Sequence, residues 1–293
     1  MSTVTDLPTL RTLARKEIGN YLRSKLYWFG AGLLAIVSVV GLTAPDDRFS
    51  TVGDGIAPAA LIGLFGIVIM ASLTRNSDRA AEAAGAVSVG QRTRTLALAC
   101  AAVVPFATGL LWYVTAVIGY NLHPPAPSGV PFGSMNDMFV YAIMFQEGVT
   151  ACVGGPILGL VIGRWLPQRW VAPVIAVAIV PITMVMQPLF EWPEHWRQVW
   201  IWIHFYGAGG TEEDPDRALR FTGSPYFYIL YLAALCVLGV LIALYRDPDA
   251  DRTGLRKTLA GVAAAAAVLC ILAMVVGPNE RQVNPVPSPT AES

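Results

Sequence analysis

The sequence predicts an all-α integral membrane protein of about six to seven transmembrane helices, with a cytoplasmic N-terminus and an amphipathic helix ahead of the first span. Three observations carry this. Of 293 residues, 55% are apolar and only 14% charged, with a mean hydropathy of +0.54. A soluble domain carries about 25% charge, so too little polar surface remains here to meet water on all sides. Several stretches are long and apolar enough to cross the hydrocarbon core, which takes about 20 residues of helix. Finally, Lys and Arg are distributed unevenly among the connecting segments.

Residues 1–25 come first, as a cytoplasmic amphipathic helix. Leu10, Leu13, Ala14, Ile18, Tyr21 and Leu22 recur at helical spacing, while Arg11, Arg15, Lys16, Arg23 and Lys25 fall on other faces. An apolar stripe beside a basic face suits the inner membrane interface. A plain basic flank would explain the charges but not the apolar period. The length and patterning also set this segment apart from the charged start of a cleaved signal peptide. Seven spans follow, at 26–43, 56–74, 95–120, 138–163, 171–190, 226–245 and 259–277, forming one polytopic domain over 26–277. Backbone groups cannot stay unpaired in lipid, so each run is expected to be a continuous helix. The alternating polarity of a transmembrane barrel is absent.

With the N-terminus inside, the inner segments hold Arg11, Arg15, Lys16, Arg23, Lys25, Arg75, Arg79, Arg92, Arg94, Arg164, Arg169, Arg246, Arg252, Arg256 and Lys257. The outer segments hold only Arg48, Arg197, Arg217, Arg220 and Arg281. The bias alternates correctly through the chain, as the positive-inside rule requires. It places the Pro-rich tail 278–293 outside, with a composition that predicts disorder. If the mildly apolar last stretch fails to cross, the tail lies inside instead.

Two connections are more than turns. The inner loop 75–94 opens with Arg75-Asn-Ser-Asp-Arg-Ala-Ala-Glu82, continues through Gly85-Ala-Val-Ser-Val-Gly90 and reaches Arg92 and Arg94. This predicts a short helix, a break at the glycine and a second helix starting near Ser88 as its N-cap. In the outer loop 191–225, Trp192, Trp196 and Trp200 recur every four residues, as in a helix lying at the outer headgroup level.

The order of these segments resembles the type-2 export permeases of the ABC transporter family. "Leu-Ala-Arg-Lys-Glu17-Ile-Gly-Asn-Tyr-Leu-Arg23-Ser-Lys" resembles that family's amphipathic elbow helix, with Arg15, Glu17 and Arg23 as its charged positions. "Ala83-Ala-Gly-Ala-Val-Ser-Val-Gly-Gln-Arg92" is similar to its coupling segment between the second and third spans. The likeness extends to about Tyr245; the family core has six spans, so the helix over 259–277 departs from it. The resemblance implies a permease subunit in the bacterial cytoplasmic membrane, working with a second permease copy or paralogue. It also implies a separate ABC ATPase subunit gripping Arg79, Glu82, Val87, Ser88 and Arg92. No GxxxxGK[ST] phosphate loop occurs, so ATP and its hydrolysis belong to that partner and no cofactor is expected on this chain.

Within the spans, Gln146 and Glu147 fall near the bilayer centre, counting about 1.5 Å per residue. An ionised carboxylate there costs roughly 3 kcal/mol, so Glu147 is expected to face protein or water, as a pathway, interface or buried structural group. Gln187 is a weaker instance in the fifth span. Gly154-Gly-Pro156 is expected to kink or thin the fourth, and Gly155, Gly159 and Gly163 repeat every four residues as in close helix packing. Cys100, Cys152, Cys236 and Cys270 lie in apolar runs without metal spacing, and nothing in the spacing of His123, His195 and His204 requires a metal.

Three other functions compete. An ion-coupled carrier usually shows repeats and several intramembrane charges, and only one clear acid is present. A membrane anchor or sensor needs the same helices, so only a partner separates it from a permease. Glu212-Glu-Asp-Pro-Asp-Arg217 matches the Glu-Glu-x-x-x-Arg pattern of a membrane metalloprotease, but it sits in a hydrophilic loop without the histidine motif such a site needs. Zero net charge argues against a nucleic-acid partner.

Overall fold

The computed structural model describes residues 7–43, 55–83, 89–122, 136–189, 199, 217–219, 223–276 and 283–285. Eight helices lie among them: α1 Leu7–Leu22, α2 Lys25–Thr43, α3 Ile56–Ala83, α4 Gln91–Leu122, α5 Asp137–Trp165, α6 Val171–Leu189, α7 Pro225–Tyr245 and α8 Arg252–Val275. Five of these, α3, α4, α5, α7 and α8, are long and apolar enough to span a membrane by themselves. The pair α1–α2 qualifies jointly but bends by 62° between its halves. Of α6, the described apolar stretch is Val171–Val185. Among the described residues, then, five helices qualify as spans, or six with the bent pair, where seven are expected from the sequence.

The surface of these helices is unlike that of a soluble protein. Val177 is 71% exposed, Met184 70% and Leu111 67%, and similar side chains line α2, α7 and α8. Apolar belts of this extent are stable only against lipid, which identifies a multi-pass membrane protein.

The closest interface joins α3 to α5. Gly155 lies on the main-chain carbonyl of Gly63, Gly159 on that of Ile67, and Gly163 on the Thr74 side chain. Residue numbers rise together along both helices, so they run parallel and nearly in register, held apart only by glycine. Pro156 packs into the space left by Gly66 on the same seam. The expected glycine stripe is thus a packing device, replacing side-chain bulk with backbone contact where hydrophobic burial offers little driving force. Helices α7 and α8 form an antiparallel hairpin: Ser224 N–H donates to the Ala273 carbonyl (2.8 Å), and the Asp251 carboxylate caps α8 by accepting from Thr253 and Gly254 (3.1 and 3.2 Å).

Three helices depart locally from ideal α-geometry. In α4 the chain turns at Ala101–Ala102, because Pro105 has no N–H for the Ala101 carbonyl and its ring crowds that group. The local bonds tighten to three-residue spacing, with Val104 N–H donating to Ala101 (3.1 Å). In α5 the helix runs on through Gly154-Gly-Pro156, and a π-helical turn lies just before it at Gln146–Thr150. A second π-helical turn lies at Ala59–Gly63 of α3.

The inner loop also differs from expectation. No separate short helix precedes the break; α3 continues unbroken through the charged stretch to Ala83, whose residues are good helix formers. The next helix starts at Gln91 with extended Gly90 as N-cap, not near Ser88. Ser88 and Val87 lie outside the described residues, as do the three histidines and the Trp192–Trp196–Trp200 row. Of the tail expected to be disordered, Val283–Pro285 (β2) pairs antiparallel with Arg217–Leu219 (β1).

Candidate functional site

The described contacts sort the helix ends into two groups. At one end meet the last turns of α3, the start of α4, the end of α5, the end of α7 and the start of α8. Asp78 of α3 accepts hydrogen bonds from Arg164 of α5 and from Arg94 of α4, the latter at 3.3 Å. Trp165 Nε1 donates to the Ile242 carbonyl (3.2 Å), Arg246 lies 5.8 Å over the Trp165 ring, and Arg256 Nε donates to Tyr245 (2.8 Å). At the opposite end Tyr120 donates to Asp137 (3.2 Å) and Asn121 exchanges bonds with Tyr141 (3.0 and 3.1 Å). Every basic residue assigned to an inner segment and placed on α3 to α8 sits toward the first end, which is arginine-rich.

Helix α1 belongs to that end. Its Tyr21 is fully buried, stacked edge-on to Tyr27 and close to Gly66 of α3, while its C-terminal half packs on the start of α4. The expected apolar stripe is the packed face, except that Leu22 is 38% exposed and Glu17 is drawn into it at 8%. The Glu17 carboxylate accepts a hydrogen bond from Asn20 Nδ2 (3.0 Å). Arg15 and Arg23 remain exposed, as do Arg79 and Glu82 on the last turns of α3 and Arg92 on the first turn of α4. The described coupling-loop and elbow candidates thus share one end of the bundle and, Glu17 apart, present charge to the outside.

The intramembrane pair is placed elsewhere. Gln146 and Glu147 are each 2% exposed, inside the π-helical turn of α5. The Glu147 carboxylate lies against Gly55, the N-cap of α3, so closely that a Cβ there would overlap it. A helix start carries partial positive charge, so this position favours the carboxylate electrostatically. On the same turn Gly148 accommodates the Trp112 ring of α4. Seventeen residues separate Glu147 from Arg164, about 26 Å along the helix, so the two polar layers are well separated along α5. Gln187 belongs to α6; its side chain lies outside the described residues.

Sequence reading missed the Asp78–Arg94–Arg164 centre. By sequence alone Arg94 and Arg164 carry only topological charge. One signal was available: Arg164 directly follows the glycine stripe, where a neighbouring helix lies close and burial demands a carboxylate. Chemically, the arginine-rich end offers exposed charge over a buried ion-pair layer, and the Glu147 turn offers one enclosed carboxylate. Among the described residues no group of three His, Cys, Asp or Glu could hold a metal ion. No protein-family model, curated protein or solved structure matches the chain.

Proposed function

We propose that this chain is the permease subunit of an ATP-driven exporter of the ABC type-2 kind, seated in the bacterial cytoplasmic membrane with its arginine-rich end inside. The observation that carries the reading is the bent α1–α2 pair: α1 turns 62° away from α2 and rests on the start of α4, near Val89 at the described end of the α3–α4 connection. An elbow helix packed next to a coupling loop is the arrangement such a permease needs to receive a push from a separate ATPase. Arg79, Glu82, Arg92, Arg15 and Arg23 form the exposed contact set, with Val87 and Ser88 in the loop between. The pathway is formed with a second copy or a paralogue, since five to six spans make half of a transporter. ATP is bound by the ATPase and not by this chain.

The test is a detergent pull-down of the tagged chain from its native membrane, with Glu82→Arg in parallel. Copurification of an ATPase that the variant loses supports the reading; an intact, folded chain that brings down no ATPase removes it.

A second reading is favoured by one observation, the enclosed Glu147. A buried carboxylate in a π-helical turn suits a proton- or cation-coupled carrier. That reading expects transport in proteoliposomes without ATP, abolished by Glu147→Gln. A membrane anchor or sensor expects neither an ATPase partner nor transport.

A further inference from the structure

The arginine-rich end contains a cavity of about 170 Å³ between α1, the last turns of α3 and the start of α4. A single water needs roughly 10–15 Å³ by such a measure, so a polyatomic ion fits with room for its substituents. Lys16 and Glu17 line it from α1, Ser77 from α3 and Arg94 from α4, with apolar side chains such as Leu13 completing the wall.

One of the two cations lining this cavity, Arg94, holds a buried donor without an acceptor. Arg94 uses Nη1 on the Ser77 carbonyl (3.1 Å) and Asp78 (3.3 Å), but its Nε is buried and meets no acceptor. Arg164 shares the same Asp78 oxygen; its side chain is 1% exposed, and neither its Nε nor its Nη2 meets an acceptor. Arg75 Nη1 is in the same state one turn before Asp78; neither Arg75 nor Arg164 lines the cavity. Asp78 thus serves two guanidinium groups at once. Glu17, the other carboxylate at the cavity, accepts from Asn20 and forms no ion pair with Lys16 or Arg94 among the described residues. Asp247 lies within electrostatic range of Arg164 without bonding to it. Buried donors left without acceptors are costly, and guanidinium groups carrying such donors are matched best by a multi-oxygen anion.

We propose that this cavity binds a phosphate group, with Arg94 and Lys16 as its ligating cations and Ser77 beside them. Phospholipid headgroups and free inorganic phosphate are its two sources in a cell. Helix α1 carries exposed Arg11 and Arg15 along its outer side, which suits contact with an anionic headgroup layer. Carboxylate ligands fit less well, since two oxygens leave more of the donors unmatched. The proposal holds whether or not the chain couples to an ATPase.

The test uses the full chain, purified and delipidated in detergent and titrated by native mass spectrometry with dioleoyl-phosphatidylglycerol and, separately, inorganic phosphate. Wild type is expected to hold one phosphatidylglycerol saturably, and Arg94→Gln and Lys16→Gln each to weaken it about tenfold. Arg252→Gln, an exposed cation at the same end but outside the cavity, should change it by no more than about twofold. Displacement of the lipid by millimolar phosphate assigns the site to the free ion; resistance assigns it to the headgroup. Should Arg94→Gln fail to purify as a folded species, Lys16→Gln decides alone, because Lys16 is exposed on α1 and its loss leaves the core intact. Absence of saturable binding of either probe, or unchanged affinity in the folded variants, overturns the proposal.

Discussion

Gly159 of α5 rests directly on the main-chain carbonyl of Ile67 of α3, with no side chain between the two backbones. The contact sits midway along a seam that begins at Gly155 on Gly63 and ends at Gly163 on Thr74. It fixes the register of two parallel helices and thereby the heights of the two polar layers they carry.

Substitution at this seam should be sharply position-dependent. Gly159→Leu forces the helices apart and is expected to cost about 1–3 kcal/mol or prevent assembly. Gly154→Ala, where an added Cβ meets nothing within 4 Å, should leave stability unchanged. Thermal melting of both variants in detergent, followed by size-exclusion chromatography, checks this; equal behaviour would show that the seam is not the limiting contact.

The ion-pair layer predicts an asymmetry between its members. Asp78→Asn leaves Arg164 buried without a carboxylate partner, at about 3–5 kcal/mol. Arg94→Gln should cost less, since Asp78 keeps Arg164 and Arg94 is the more exposed cation, 17% against 1%. Combining Asp78→Asn with Arg164→Met removes both charges and should recover much of the loss. Melting temperatures of the single and double variants measure the difference.

Glu147 and Gly55 should be energetically coupled. Gly55→Ala drives a methyl group into the Glu147 carboxylate, which is 2% exposed and cannot swing freely. The single change is expected to destabilise, and pairing it with Glu147→Ala should restore part of the loss, giving a coupling of about 0.5–3 kcal/mol. A double-mutant cycle on detergent stability reads it; strict additivity would place the carboxylate away from the helix start.

The sorting of helix ends predicts sidedness. Single cysteines at Arg79, Arg169 and Asp249, in a background without the four native thiols, should react with an impermeant maleimide from one side of the membrane only. Cysteines at Asn136 and Val276 should react from the other. Mixed labelling within either set would refute the two-ended arrangement.

The sequence by itself determined the solvent, the helical class and the approximate position of each apolar helix. These depend on local quantities: the run length of apolar residues, the lipid's demand for paired backbone groups, and the sorting of Arg and Lys. It also revealed the glycine stripe, because a four-residue repeat of small residues has a single geometric use. Tertiary structure alone decided that α3 runs on through Asp78, because continuing a helix is nearly free once its first turns are packed. It alone drew Glu17 into the packed face of α1, since burial depends on the partner helix and not on the residue. Most of all, it brought Asp78, Arg94 and Arg164 together and set Glu147 on the N-cap of α3. Those pairs lie 16, 86 and 92 residues apart in sequence. Only the register imposed by glycine-to-backbone contact between α3 and α5 fixes which charges share a level.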